Sequence, residues 1–580
     1  QLGSISDDDD VVIDTTAPTL STVSIASSNN TTTLAKAADT VTLNFTASEA
    51  IGTPTVTFQS GEVNIANNVT VSDLNDNDAT TWKATYAVAA NDTDGSVGFT
   101  INFADTATNS GTAVTAVTNG GGTVTVDTTS PNAFQVGAVA SVGAPVVANY
   151  LNSTNTGVSV TVPVAADATL VNGTIQLRMK VGNNGYVDIG SPATITNSGT
   201  TQAVLITDDN IEAAANYAEN GVLTFSAVIT DSAGNATTGT ASNTTLTVDQ
   251  TAATLSALTI ASNNANTSLA VEGDVITLSI TSNENISTPN VTISDADSQL
   301  TDSTQGSDAS WTATVTVGAN DTGLVSYSVT ATDLAGNVAS AVNTTTNSSS
   351  VTIDTTAPTM TITASEVSSG NTSNDQTLSL TFESSSSTTN FVANDISVTN
   401  GTISDFSGNG TTYAATFTPQ QDGATTIAVG TPKFTDAAGN NNVASDTFNW
   451  TYDSTAPTIT ALTIASNNGN SSSLAKENDV ITLSITTNEA ISQPTVVISD
   501  GDSVLTSSVS GSGTSWTATT TVGASDSGTV SVSVTATDVY GNAANAVTAT
   551  TNNSSVTIDT TIITLSALTI VSDNANTALA

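Results

Sequence analysis

Val351–Met360 reads VTIDTTAPTM, and variants of that stretch recur along the whole chain. They are VVIDTTAPTL from Val11, VTVDTTSPNA from Val124, LTVDQTAATL from Leu246, TYDSTAPTIT from Thr451 and VTIDTTIITL from Val556. In each, an alternating run ends on an aspartate, and in most a proline follows, which cannot sit inside a strand ladder and so separates two strands. The stretch therefore closes one structural unit and opens the next. Its spacing is roughly 100–120 residues, a period that points to tandem domains, each the size of a single β-sandwich.

Between the junctions, apolar and polar residues alternate, as in Ile276, Leu278 and Ile280 against Val275, Thr277 and Ser279. That is the period-2 signature of a half-buried strand. Asn, Asp, Gly and Ser clusters punctuate such runs every 8–12 residues or so, roughly the spacing of sandwich turns. The predicted fold class is all-β, a string of tandem immunoglobulin-like β-sandwich domains. Only DDNIEAAANYAEN from Asp208 suggests a helical turn or two. The predicted division is an acidic N-terminal segment at 1–13 and units at 14–126, 127–248, 249–353, 354–452 and 453–558. An incomplete sixth unit at 559–580 implies a longer chain. The third and fifth units are close copies sharing LTIASNN and DVITLSIT, while the second and fourth have diverged. Trp82, Trp311 and Trp516 hold one fixed position per unit, taken by Tyr413 in the fourth, and are predicted to fill cores.

At 580 residues the chain exceeds what one core can serve, and with 38% hydrophobic residues it should fold despite a net charge of −45. The charge comes from 51 acidic residues against six basic ones, Lys36, Lys83, Arg178, Lys180, Lys433 and Lys476. So few cations cannot neutralise nucleic-acid phosphates or an anionic membrane surface, which leaves dissolved cations as the natural partners. Cysteine and histidine are both absent. This removes disulfides, thiolate and imidazole metal sites and every histidine base. Carboxylates alone remain for catalysis, but they recur with the repeat instead of converging on one cleft, and no enzyme is predicted. No apolar run approaches the ~20 residues of a membrane span. QLGSISDDDD at the N-terminus lacks the basic and apolar regions of a signal peptide, so a removed export signal is expected, with Asp7–Asp10 solvated.

Three acidic positions recur. The first is the junction aspartate: Asp14, Asp127, Asp249, Asp354, Asp453 and Asp559. The second is a glutamate predicted to lie in the B–C loop after the second strand: Glu49, Glu284, Glu383 and Glu489, with Asp167 the nearest substitute in the second unit. The third opens a D-x-x-G-N turn after the sixth strand: Asp231, Asp333, Asp436 and Asp538, with Asp105 in the degenerate DTATN of the first unit. Sandwich topology gathers these loops at the end that receives the incoming chain. Three carboxylates placed together repel one another unless a hard cation sits among them, and calcium suits an all-oxygen site. Asn337 and Asn542 could complete the shell. The competing assignment is plain turn chemistry, since D-x-x-G-N also suits a tight turn. Asp92, Asp321 and Asp526, in AANDTDG, VGANDTG and VGASDSG, are predicted turn formers at the opposite end.

These motifs resemble the bacterial and archaeal Ig-like repeats of large surface proteins, in which a D-T-T-A-P junction, an S-E-A turn and a D-x-A-G-N loop recur once per domain. The resemblance runs through five units and the fragment; Asp14, Glu49, Asp354, Glu383, Asp436, Asp453, Glu489 and Asp538 match best. It implies an extracellular, cell-surface location, calcium-stiffened tandem domains and a structural or adhesive role. Two functions follow from it: a surface-layer (S-layer) subunit that assembles with copies of itself into an acidic, cation-attracting lattice, or the stalk of a calcium-dependent adhesin. Unequal unit lengths favour the lattice. Roughly twenty Asn-x-Ser/Thr sequons permit N-linked glycans.

Overall fold

Five hydrophobic cores follow one another along the chain, drawn from residues between Val23 and Val126, Val136 and Val248, Leu258 and Ile353, Met360 and Trp450, and Leu462 and Ile558. The computed structural model describes residues 12–569 apart from 67–68, 76–77, 119 and 121. Asp7–Asp10 and the end of the sixth copy lie outside the described residues.

Each core is enclosed by β-sheets. In the first, Leu20–Ser27, Thr40–Ala47, Thr81–Ala87 and Thr70–Asp73 form one antiparallel sheet, and Thr55–Ser60 and Gly95–Asn102 pair at the centre of the facing one. Val41, Leu43 and Phe45 point inward while Asn44 faces solvent. A one-residue slip would turn that apolar set outward, so the alternation fixes the register. The third and fifth cores repeat the order, with Leu255–Ser262, Val275–Ser282, Ser310–Thr316 and Ser303–Ser307 matched by Ile459–Ser466, Val480–Thr487, Ser515–Thr521 and Ser507–Ser512. The chain is all-β, built of tandem immunoglobulin-like sandwiches. Among the described residues α-helix is confined to Asp208–Glu212, where the sequence suggested it.

One feature of the sandwich sets the geometry of the junctions. A short strand following the first strand of each unit pairs in parallel with the last: Leu34–Ala35 with Thr125–Val126, Tyr150–Leu151 with Leu246–Val248, Leu269–Ala270 with Thr352–Ile353, Thr372–Ser373 with Phe448–Tyr452, and Leu474–Ala475 with Thr557–Ile558. The junction aspartate adds one more rung. The backbone N–H groups of Asp127, Asp249, Asp354, Asp453 and Asp559 donate to the carbonyls of Ala35, Leu151, Ala270, Ser373 and Ala475 at 2.8–3.1 Å.

Trp82 and Tyr413 are buried. Trp311 and Trp516 are half-buried and lie against Gly306 and Gly511, where an added Cβ would come within 3.0 and 3.1 Å of the indole.

A surface turn in the third unit folds around a buried aspartate. Asp295 Oδ1 accepts from the backbone N–H groups of Asp297 (3.0 Å) and Ser298 (2.6 Å), and Oδ2 from that of Thr322 (3.1 Å). Burial pushes its carboxyl up, but these donors outweigh burial and hold it below the ordinary aspartate range. Asp295→Ala removes the acceptor of three backbone donors, whose own residues are exposed and can turn to water, and should destabilise the third unit by about 1 kcal/mol. Because the folded-state value is depressed, the aspartate's contribution is present above the unfolded pKa of about 3.9 and fades as pH falls through the lower folded value. The gap in melting between parent and variant should therefore be widest near neutral pH and narrow as the aspartate protonates in acid.

Candidate metal centre at the unit junctions

Each D-x-x-G-N turn closes on its own aspartate. One carboxylate oxygen accepts the backbone N–H of the asparagine four residues on, and the other accepts its side-chain amide. The two distances are 2.8 and 2.7 Å for Asp105 with Asn109, and 2.9 and 3.0 Å for Asp231 with Asn235. They are both 2.8 Å for Asp333 with Asn337, 3.0 and 3.1 Å for Asp436 with Asn440, and both 2.8 Å for Asp538 with Asn542. All five aspartates are buried.

The same amide spends its second hydrogen on the junction. Asn109, Asn235, Asn337, Asn440 and Asn542 donate to the backbone carbonyls of Asp14, Asp127, Asp249, Asp354 and Asp453 at 2.7–3.0 Å. At the four junctions between units, the backbone of the junction aspartate is thus held from both sides, its N–H by the unit before and its carbonyl by the unit after. Asn337 and Asn542, expected to complete the metal shell, turn their amide donors to these carboxylates. Beside carboxylates an amide presents its donors, and the oxygens turn away: Asn337 Oδ1 accepts from the Ser153 N–H (2.9 Å) and Asn542 Oδ1 from the Asn374 amide (3.3 Å).

In the first, third and fifth units an isolated bridge ties the B–C loop to this turn, pairing Ile51 with Asp105, Ile286 with Asp333 and Ile491 with Asp538. The glutamate two residues before each isoleucine is thereby brought alongside. Asp14, Glu49 and Asp105; Asp249, Glu284 and Asp333; and Asp453, Glu489 and Asp538 each place carboxylate oxygens within 4.8 Å of one another. Burial, with the neighbouring charges behind it, raises the proton affinity of Asp249, Glu284 and Glu49. Burial, and then the charges of Asp333, Glu219 and Glu284, push Asp249 up to about 6. Burial followed by Asp333 raises Glu284, and burial followed by Asp14 and Asp105 raises Glu49. Turn chemistry accounts for the buried aspartate in each group; it does not require the glutamate.

The remaining candidates do not converge in threes. Glu383 is a correction: it lies in the long strand Leu378–Thr388, between Thr361 and Thr412, instead of in a loop. Its side chain stays on the exposed face, and no trio forms with Asp354 and Asp436. In the second unit Asp167 caps a 3-10 turn, accepting from Thr169 N–H at 2.9 Å. Asp127 is buried there with Oδ2 unpartnered, and burial followed by the charge of Asp231 raises its pKa. Asp559 accepts from the Thr561 N–H at 2.9 Å. Asp92, Asp321 and Asp526 accept from the N–H groups three residues before them, at 2.8–2.9 Å.

Among known families, residues 354–452 match the bacterial Ig-like domain, one of the two units in which no acidic trio is assembled. No curated protein matches the chain. Among solved structures, a Ca2+-stabilised adhesin that helps an Antarctic bacterium reach out and bind ice is 18% identical, covering 74% of this chain and 100% of its own, with a TM-score of 0.31. Invasin, a bacterial integrin-binding protein, is 16% identical over 73% of this chain and 78% of its own, TM-score 0.27. The S-layer protein rSbsC is 14% identical over 93% and 67%, TM-score 0.18. Similarity this low carries no argument about function. Among the described residues no helix is long and apolar enough to cross a membrane.

Proposed function

We propose that the chain is an extracellular structural protein of a microbial cell surface, a surface-layer subunit whose Ig-like units meet at Asp127, Asp249, Asp354 and Asp453 and are stiffened by calcium. One observation carries this reading: carboxylate trios recur at the incoming ends of alternate units, in a chain with almost no cations of its own to neutralise them. Repulsion on this scale is relieved by a divalent ion, and calcium accepts carboxylate oxygens at about 2.3–2.6 Å in flexible geometry. An ion held between the junction aspartate and two loops of the following unit would lock the linker onto that unit. Assembled as a lattice, such chains make an acidic coat that concentrates cations at the surface.

The test is electron tomography of the native envelope, with antibody against the chain to locate it. A continuous lattice is the expected result. Isolated fibres projecting from the cell would replace this reading with that of an adhesin stalk.

A further inference from the structure

Successive units also touch through a contact that uses no acid trio. An asparagine beside the short parallel strand reaches to the next unit, Asn29 and Asn264 from the loop before that strand and Asn152 from the residue after it: the Asn29 amide donates to Ala233 O (2.8 Å), Asn152 to Ala335 O (2.8 Å) and Asn264 to Ala438 O (2.9 Å). Each acceptor is the alanine of a D-x-A-G-N turn, and all three alanines are buried. The following glycine allows the approach. Gly234 and Gly336 have φ of +96° and +95°, and an added Cβ would lie 3.1 Å from Lys36 Nζ and 3.0 Å from Val147 Cγ2 of the preceding units. At the first of these contacts Lys36 Nζ also donates to Gly234 O at 2.7 Å.

The first unit organises this face around Asp39, whose Oδ2 accepts from the Asn29 amide (2.7 Å) and the Lys36 backbone N–H (2.8 Å). The fifth unit has the same constellation. Asp479 Oδ2 accepts from the Asn468 amide at 2.6 Å and from the Lys476 N–H at 2.9 Å. Two of the chain's six cations thus occupy this one position. The difference lies in what covers them: Leu34 and Lys36 are half-buried, whereas Leu474 is 50% exposed and Lys476 is exposed.

We infer that Asn468, Leu474, Lys476 and Asp479 form a docking face for another Ig-like unit, one presenting an Ala-Gly-Asn turn like that of the second unit. Lys476 Nζ and the Asn468 amide take the two turn carbonyls, as Lys36 and Asn29 do. The first unit of a second copy is not that occupant. Thr108 stands at φ +71° in the glycine position of its turn, and its side chain would take the space the lysine needs. The contact runs through amide and ammonium donors, so it is independent of calcium.

Amine labelling of the full chain in chelator tests the template: Lys476 should react several-fold faster than Lys36. Docking is tested by adding a second copy of residues 271–353 after Ala580, which completes a unit because TLSALTIVSDNANTALA at 564–580 repeats TLSALTIASNNANTSLA at 254–270. In the extended chain Lys476 should slow to the rate of Lys36, and Gly336→Thr in the added copy should restore fast labelling. Emission from the added copy's tryptophan reports whether it has folded. If that copy does not fold, an extension with residues 476–558, its copy of Tyr540 changed to Ala, is read in the same way. A folded added unit that leaves Lys476 fast overturns the proposal, as does a natural chain in which Lys36 labels as fast as Lys476. Because every arm is run in chelator, failure here leaves the calcium reading untouched.

Discussion

Titrated with calcium, the full chain should take up three ions, and the Asp453→Ala chain two. The count follows from the geometry: the first, third and fifth units bring three carboxylates within 4.8 Å, and the second and fourth do not. Removing Asp453 leaves Glu489 and Asp538, the latter already bonded through both oxygens to Asn542, too little charge to hold a hard cation against water. An ion bound only by the folded arrangement stabilises it by mass action, about 2.7 kcal/mol at a concentration 100 times Kd. The melting transition of the fifth unit should therefore rise with calcium in the parent and stay put in the variant. Glu383→Gln serves as the internal control, since its carboxylate lies on an exposed strand face and its loss should leave the count at three. If the parent binds no calcium and chelator moves no transition, the acids are turn residues and the stiffening role is wrong.

The sandwiches were legible because burial imposes a period of two, and Val275–Ser282 shows it without interruption. The acid trios were legible because duplication repeats a glutamate that no turn requires. Glu383 was misplaced for a physical reason. In ESSSST the inward positions of the continuing strand are small and polar, so alternation that would have been plain with Val or Ile looked like a loop; yet Ser384 and Thr388 are buried, and Thr388 O accepts from the Tyr413 hydroxyl at 2.8 Å. The constancy of the asparagines was plain in the sequence, but spacing places an amide without saying which end faces a carboxylate. LTIASNN recurs at 258–264 and 462–468. Its constancy within loops was the available signal for Asn264, but the partner lies 174 residues away, at Ala438, beyond any local pattern.

The junction of the third and fourth units separates the two devices, since it has the amide link and no acid trio. There the Asn440 amide joins Asp354 O at 2.7 Å to Asp436 Oδ2 at 3.1 Å. Asn440→Ala keeps the backbone N–H that Asp436 Oδ1 accepts but strips two acceptors, one of them a buried carboxylate oxygen, and that should lower the stability of the fourth unit by about 1–3 kcal/mol. With no ion to take over, the loss should be the same in calcium and in chelator. Asn542→Ala at the next junction removes the same donors from a site that also holds Asp453 and Glu489. Its loss should be largest in chelator, where three carboxylates face one another with fewer hydrogen-bond donors, and should shrink as calcium supplies the missing positive charge. The measurement is calorimetry of parent and both variants, each with calcium and with chelator. Equal calcium dependence in the two variants would mean that the trio and the amide do not share the work at that junction. A melting curve for Asn440→Ala that overlays the parent's would mean that the amide does not hold the linker to the following unit.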